Sequence, residues 1–177
     1  PSFRIARLEE DITPQMKAFC ALCDDKGEAR CLLEIKDLPK DVQGGLKDFY
    51  KGKRFSLHTK ALVPGRRLPL SSSDFPAVVA DANLPLYELV QRIKPEVVSF
   101  HMGNSSEETT SGEFGINYPA GRVLDSEEAM QNILNSIIAV AEGLRNVGYQ
   151  GKILLENLDY VNTGAYKHVC EPDFIVE

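Results

Sequence analysis

Short apolar runs that end in a polar side chain recur along the chain, and runs of this kind predict buried β-strands. The clearest run has three aliphatic residues followed by a glutamate, and two earlier runs end in a histidine. The five predicted strands are Phe3 to Leu8, Ala29 to Ile35, Arg54 to His58, Glu96 to His101 and Lys152 to Glu156.

Apolar residues at helical spacing separate these strands. Thr13 followed by Pro14 predicts a helix start, and another helix is predicted from about Leu84 to Lys94. The longest helix, Asp125 to Val147, opens with capping-box spacing between its first residue and Glu128. Its predicted core stripe consists of Met130, Ile133, Leu134, Ile137, Ile138, Ala141 and Leu144. Weaker helical patterns cover Pro39 to Tyr50 and Glu171 to Glu177.

The alternation of strands and helices predicts an α/β domain with a parallel sheet. The segments after the last three strands, residues 59–81, 102–124 and 157–170, are long and polar and are predicted as loops. The connections from helix to strand are short. Because the functional loops of parallel sheets lie at the carboxyl ends of the strands, we expect the active site at that end.

We expect a (β/α) barrel of the TIM type with only the first four strand-helix units present. Eight units need about 250 residues, and the chain has 177. Residues 1–177 would then form a single α/β domain, the amino-terminal part of the barrel. The alternative is a half barrel that stands alone, which would leave strand edges unpaired and would have to form a homodimer.

The composition is globular, with 43% hydrophobic and 26% charged residues. A net charge of −6 makes a nucleic-acid partner unexpected, because such partners bind clustered basic residues. No apolar run approaches about 18 residues, and no basic segment precedes an apolar one at the amino terminus, so neither a membrane span nor an export signal is predicted. We therefore expect a cytoplasmic protein, whose four cysteines are ordinary thiols.

Three of the predicted strands end in side chains that can bind metal, and these form the candidate site. His58, His101 and Glu156 supply two imidazoles and one carboxylate, a ligand set that suits zinc, manganese or iron. We expect them to converge on one divalent metal ion. In the alternative interpretation, the histidines bond to backbone groups and Glu156 is a capped or ion-paired carboxylate.

Three further residues are candidates for substrate binding or for support of the metal ligands. Asn157 could orient the preceding Glu156 or contact substrate. Lys60 could bind a phosphate or carboxylate, and Glu34 ends an earlier strand and could line the same mouth. The alternatives are a turn residue, a solvated cation and a structural ion pair, respectively. His168, the third histidine, is predicted to lie at the surface.

Three segments resemble motifs of the xylose-isomerase-like TIM-barrel superfamily. Phe55 to His58 is similar to its second-strand histidine motif, and Ser99 to Gly103 is similar to its third-strand histidine motif. Ile153 to Asn157 resembles its fourth-strand glutamate-asparagine motif. The resemblance implies a TIM barrel in which these positions contribute metal ligands or pocket residues, with further ligands from later strands.

That superfamily includes sugar isomerases and epimerases, AP-endonuclease-type phosphodiesterases and the iron-dependent peptide oxidases of methanobactin biosynthesis. The resemblance therefore implies a divalent-metal enzyme, and we expect it to isomerise or epimerise a sugar or another small polyhydroxy substrate. Phosphodiester hydrolysis and iron-dependent peptide oxidation are the enzymatic alternatives, and Glu171 to Glu177 resembles the oxidase branch. A degenerate half barrel used for binding or assembly is the non-enzymatic alternative.

Overall fold

The structure, a computed structural model, describes residues 2–5, 14–25, 32–35, 52–59, 68–112, 117–156 and 163–168. Their strands are β1 (Ser2–Ile5), β2 (Leu32–Ile35), β3 (Phe55–Thr59), β4 (Val97–His101), β5 (Ser106–Ser111), β6 (Asn117–Val123) and β7 (Lys152–Glu156). Their helices are α1 (Pro14–Asp25), α2 (Phe75–Val79), α3 (Pro85–Ile93) and α4 (Ser126–Asn146). The helices predicted at residues 39–50 and 171–177 lie outside the described residues.

Five strands form one parallel sheet, which confirms the predicted α/β architecture. The strands lie side by side in chain order, β1-β2-β3-β4-β7, and every pairing is parallel. A doubly wound sheet would reverse its strand order at one point. Within the described residues, each new strand is instead added on the same side of the sheet.

The two faces of this sheet differ in chemistry. One face carries Leu33, Ile35, Leu57 and Val98, which expose 2% of their surface or less. They belong to one core cluster with the buried residues of α3 and α4, so the helices cover this face. The register places a second set of residues on the opposite face, which we call the polar face: Glu34, Ser56, His58, Val97, Ser99, His101, Lys152, Leu154 and Glu156.

Helix α4 has the predicted amino-terminal cap but only part of the predicted core stripe. Asp125 Oδ1 accepts a hydrogen bond from the Glu128 backbone N–H at 2.8 Å. Ile133 is 2% exposed, as the stripe predicts, whereas Leu134 and Ile138 are 46% and 57% exposed. The prediction was wrong for these two because the apolar stripe is wider than the surface that the helix packs against, and periodicity does not show which side is covered.

Two segments that were predicted as loops contain secondary structure. Residues 102–124 include the antiparallel hairpin β5–β6. The threonines and Tyr118 of this hairpin favour strands, but they are dispersed among glycines, serines and glutamates. The hairpin is therefore recognised only from the pairing of its two strands. Residues 59–81 include α2, which begins at Phe75 with Pro76 in its first turn.

Two observations on the described residues concern the membrane and the cysteines. No helix there combines the length and the apolar character that a membrane span needs. Cys20 is 6% exposed and lies with Met16 on the core side of α1, as expected for an ordinary thiol.

Gly143 allows α4 to approach α3 closely, and we predict that Gly143→Ala destabilises the fold. A Cβ atom there would lie 1.8 Å from the hydroxyl oxygen of Tyr87, which is 3% exposed and donates a hydrogen bond to the Val79 carbonyl. Overpacking costs about 1–3 kcal/mol, and the helix propensity of alanine recovers about 1 kcal/mol. Urea unfolding measures the difference.

Tyr87→Phe provides the matched control for this prediction, because it removes the hydroxyl nearest to the new methyl group. In a double-mutant cycle, we expect Gly143→Ala to cost less in the Tyr87→Phe background than in the wild type. Equal costs in both backgrounds would show that the hydroxyl contact does not matter.

Candidate metal site

Three strand-end residues come together at the carboxyl end of the sheet, as the sequence predicts. Suitable ligand atoms of His58, His101 and Glu156 all lie within 4.8 Å of one another. They come from the adjacent strands β3, β4 and β7. Because successive side chains of a strand point to opposite faces, the residues between them face the helices, and these three share the polar face.

His58 lies at the centre of the cluster and is 6% exposed. Its Nδ1 is 2.8 Å from Glu156 Oε1 and 3.0 Å from Ser99 Oγ. Its Nε2 is 3.1 Å from His101 Nε2, and the two rings are tilted by 57°. Both nitrogens of His58 are therefore engaged, one with an acidic residue and the other with the second histidine.

Glu156 is held as an anion, although its side chain is 43% exposed. Burial raises the pKa of this carboxyl, but hydrogen bonds from Ser99 and His58 lower it, as does the charge of either neighbouring histidine when that ring is protonated. The lowering effects prevail, so the pKa of Glu156 lies below its ordinary value. An ionised carboxylate beside two imidazoles is the form that binds a cation.

The two imidazole donor atoms are spaced as for one divalent cation, and Glu156 offers a third donor within 4.8 Å of them. Two imidazole nitrogens 3.1 Å apart would subtend about 100° at an ion bound at about 2.0–2.1 Å, close to the angles of tetrahedral and octahedral sites. Three protein ligands leave coordination positions for substrate or water, which is typical of catalytic sites and not of structural ones. The contact of Glu156 with Nδ1 would also orient the His58 ring, as carboxylates do beside metal-bound histidines.

Of the three residues predicted to support the ligands, the structure describes one, Glu34. Glu34 lies on the polar face beside Ser56, one row nearer the amino ends of the strands than His58. It therefore lines the face of the site but is not part of the ligand cluster. Lys60 and Asn157 lie outside the described residues.

His168, predicted to lie at the surface, is partly exposed. Its Nε2 is 2.9 Å from the Leu124 carbonyl oxygen. This contact joins the segment after β7 to the residue that precedes the cap of α4. The polar loop around His168 suggested full exposure, whereas the contact with Leu124 covers part of the ring.

Buried serines connect the loops at the carboxyl end of the sheet, and the sequence pattern does not indicate them. Ser71 Oγ donates to the Ser106 carbonyl at 3.1 Å and accepts from the Asn104 N–H at 3.2 Å. The Ser105 N–H donates to the Ala165 carbonyl at 2.8 Å. These bonds connect the segments that follow β3, β4 and β7, so the loops at the carboxyl end of the sheet form one frame. A run of serines is typical of a solvated loop, so the sequence does not predict that these side chains link the loops.

The hairpin β5–β6 is fixed to α4 by an arginine. Arg122 donates to both carboxylate oxygens of Glu128, at 2.6 and 2.7 Å, and to Glu107 at 2.9 Å. The Arg122 guanidinium lowers the pKa of Glu128. The hairpin is therefore held against the start of α4, beside the end of β4 that carries His101.

The motifs lie one strand later than the resemblance implies. They occupy the third, fourth and fifth strands of the sheet instead of the second, third and fourth. The parallel pairing of β1 with β2 adds the extra strand at the start.

Comparisons of the chain with protein-family models, with curated proteins and with solved structures find no match. The superfamily resemblance therefore stays a hypothesis based on three short motifs.

We predict that Glu156→Gln destabilises the protein in a pH-dependent manner. Because the folded-state pKa of Glu156 is lowered, its carboxylate stabilises the fold above the unfolded pKa of about 4.3, and this contribution is lost as the pH falls through the folded value. We expect a cost of up to about 1 kcal/mol at pH 7, since solvent screens the exposed side chain.

Urea unfolding of both proteins at pH 7 and at successively lower pH checks this expectation. The stability gap between wild type and variant should narrow below about pH 4.3. A gap that stays constant or widens on acidification would contradict it.

Proposed function

We propose that this chain contributes the metal site of a divalent-metal-dependent enzyme that acts on a sugar or a related small polyhydroxy substrate. The observation that carries the proposal is the convergence of His58, His101 and Glu156 on the polar face, at the ends of three adjacent parallel strands. Parallel α/β folds place their active sites at this end. A cytoplasmic location is part of the same proposal.

The residues of the site have separable roles in this proposal. His58 and His101 offer ring nitrogens as neutral ligands, and Glu156 offers a negative charge. When bound, a divalent cation supplies Lewis-acid polarisation of neighbouring substrate oxygens. Isomerisation or epimerisation also needs a group that removes and returns a proton, and Glu34 is a second carboxylate on the polar face.

Iron-dependent oxidation is the second candidate function, because two histidines and one carboxylate with open positions are the ligand set of non-haem iron oxygenases. A peptide substrate would fit this reading. Phosphodiester hydrolysis has less support, since the net charge of −6 does not favour a nucleic-acid substrate.

We predict that the purified protein binds one equivalent of a divalent metal, and that His58→Ala and His101→Ala abolish this binding. Removal of a supporting group near a metal typically weakens binding by about 10–100-fold, so loss of a direct ligand should cost at least that much. Elemental analysis and competition titration with a chelating dye measure stoichiometry and affinity. His168→Ala removes the third histidine from outside the cluster and is the matched control.

The identity of the bound metal separates the candidate reactions. Manganese or magnesium would favour sugar chemistry, iron would favour oxidation, and zinc would favour phosphodiester hydrolysis. Wild-type protein that binds no metal, with a stability that a chelator does not change, would overturn the proposal. In that case, the histidines and Glu156 would form only a structural hydrogen-bonded cluster.

We further propose that the sheet belongs to a TIM-type barrel that continues beyond β7. Within the described residues, β7 pairs with β4 on one side only. Its Leu154 and Leu155 are 47% and 38% exposed, and Leu134 and Ile138 of α4 are also exposed. Because parallel strands are normally buried on both faces, a further strand-helix unit would cover Leu155 together with Leu134 and Ile138, which we call the apolar side, and the polar face that carries Leu154 would become the barrel interior.

We predict that the 177-residue chain self-associates through this apolar side. The double substitution Leu134→Lys and Ile138→Lys should lower the average mass measured by light scattering and leave the helical circular-dichroism signal unchanged, because both side chains are exposed. Val140→Lys is the contrasting control, since Val140 lies on the same helix but is 2% exposed, and it should unfold the protein. Loss of helical signal in the double variant would show that this side is already packed.

A further inference from the structure

Ser99 is a polar residue within an apolar strand. It lies between Val98 and Phe100 in β4 and is 7% exposed. Burying a hydroxyl without compensating hydrogen bonds costs about 1–3 kcal/mol. Packing alone would favour alanine at this position, so the contacts of the hydroxyl should explain the serine.

The hydroxyl of Ser99 meets two of the proposed metal ligands at one point. Its Oγ is 3.0 Å from His58 Nδ1, and it makes a hydrogen bond with the Glu156 carboxylate. Glu156 Oε1 is 2.8 Å from the same Nδ1. The register places Ser99 beside His58 on the polar face, so the strand pairing itself brings the hydroxyl to the imidazole.

This arrangement is not that of a nucleophilic serine. In a Ser-His-acid triad, the hydroxyl and the carboxylate bond to opposite nitrogens of the imidazole. Here both bond to Nδ1, and Nε2 faces His101 at 3.1 Å. The hydroxyl can therefore orient the imidazole and the carboxylate, but the histidine cannot accept its proton at one nitrogen while Glu156 holds the other.

The protons of the cluster follow from the donor inventory. An ionised carboxylate only accepts hydrogen bonds, so the 2.8 Å contact requires a proton on His58 Nδ1. A neutral imidazole with Nδ1 protonated presents a lone pair on Nε2. The hydroxyl of Ser99 lies 3.0 Å from the same nitrogen and is a second donor for the carboxylate of Glu156, whose side chain is 43% exposed.

We infer that Ser99 is a positioning residue: its hydroxyl holds the Glu156 carboxylate against His58 Nδ1 and so fixes the His58 tautomer whose Nε2 faces the metal site. The benefit to metal binding rests on the proposed function. The tautomer itself is a property of the protein without metal, which allows the two to be tested separately.

The first test is the tautomer of His58 in metal-free protein, read from the ring nitrogens by long-range proton-nitrogen NMR. The chain has three histidines, so single substitutions assign the signals. We expect wild type and Ser99→Thr to show Nδ1 protonated, because both carry the hydroxyl. Ser99→Ala should give a mixture of tautomers. Ser99→Cys fills the site but bonds weakly, and in the metal-free protein it should give a mixture of tautomers like the alanine variant.

The second test is affinity for Co²⁺, with its visible absorption spectrum as a report on ligand geometry. We expect Ser99→Ala to bind about 10–100-fold more weakly, as for other groups that orient metal-bound histidines. Ser99→Thr should bind within about threefold of wild type. Ser56→Ala is the matched control, since Ser56 lies on the same face, two residues before His58.

The outcomes separate the inference from the proposed function. Unchanged tautomer and unchanged affinity in both the alanine and the cysteine variants would overturn the role of Ser99, as would an equal loss in Ser56→Ala. If the wild type binds no Co²⁺ but Ser99→Ala changes the tautomer of His58, the metal proposal is overturned and the orienting role of Ser99 is supported. Restored tautomer and affinity in Ser99→Thr would support both.

Discussion

The contact between His58 Nδ1 and Glu156 Oε1 joins β3 to β7 across the intervening strand, and the candidate site depends on it. The two residues are 98 positions apart in the chain. They meet only because the strands pair in chain order and in one register. A shift of one residue in the pairing of β3 with β4, or of β4 with β7, would turn His58 or Glu156 towards the helices. The geometry of the site is therefore a consequence of the sheet.

The two faces of the sheet also differ in what can be packed against them. The core residues on the face covered by α3 and α4 are apolar, and burial of such residues is the dominant favourable term in folding. The polar face carries the histidines, Glu34 and Ser56, which would be costly to bury against a helix. Such a face suits the inside of a barrel mouth, where polar groups can meet a cation, substrate and water.

The loops at the carboxyl end of the sheet act as one frame. Ser71 and Ser105 join segments that follow three different strands, and Arg122 fixes the hairpin to α4. Side chains on strands are held more rigidly than side chains on loops. The linked loops surround the candidate site without contributing a residue to the cluster. This division of roles is typical of enzymes built on parallel sheets.

The sequence alone determined the parallel sheet, the cap of α4 and the three strand ends whose side chains could hold a metal ion, because apolar runs, capping residues and polar strand ends are local signals. It did not reveal the hairpin, the exposure of Leu134, the contact that partly covers His168 or the contact of Ser99 with His58. Each of these depends on which distant segment packs alongside, and periodicity carries no such information. Tertiary structure decided which residues meet: it brought Ser99 beside His58 and placed Glu34 one row away.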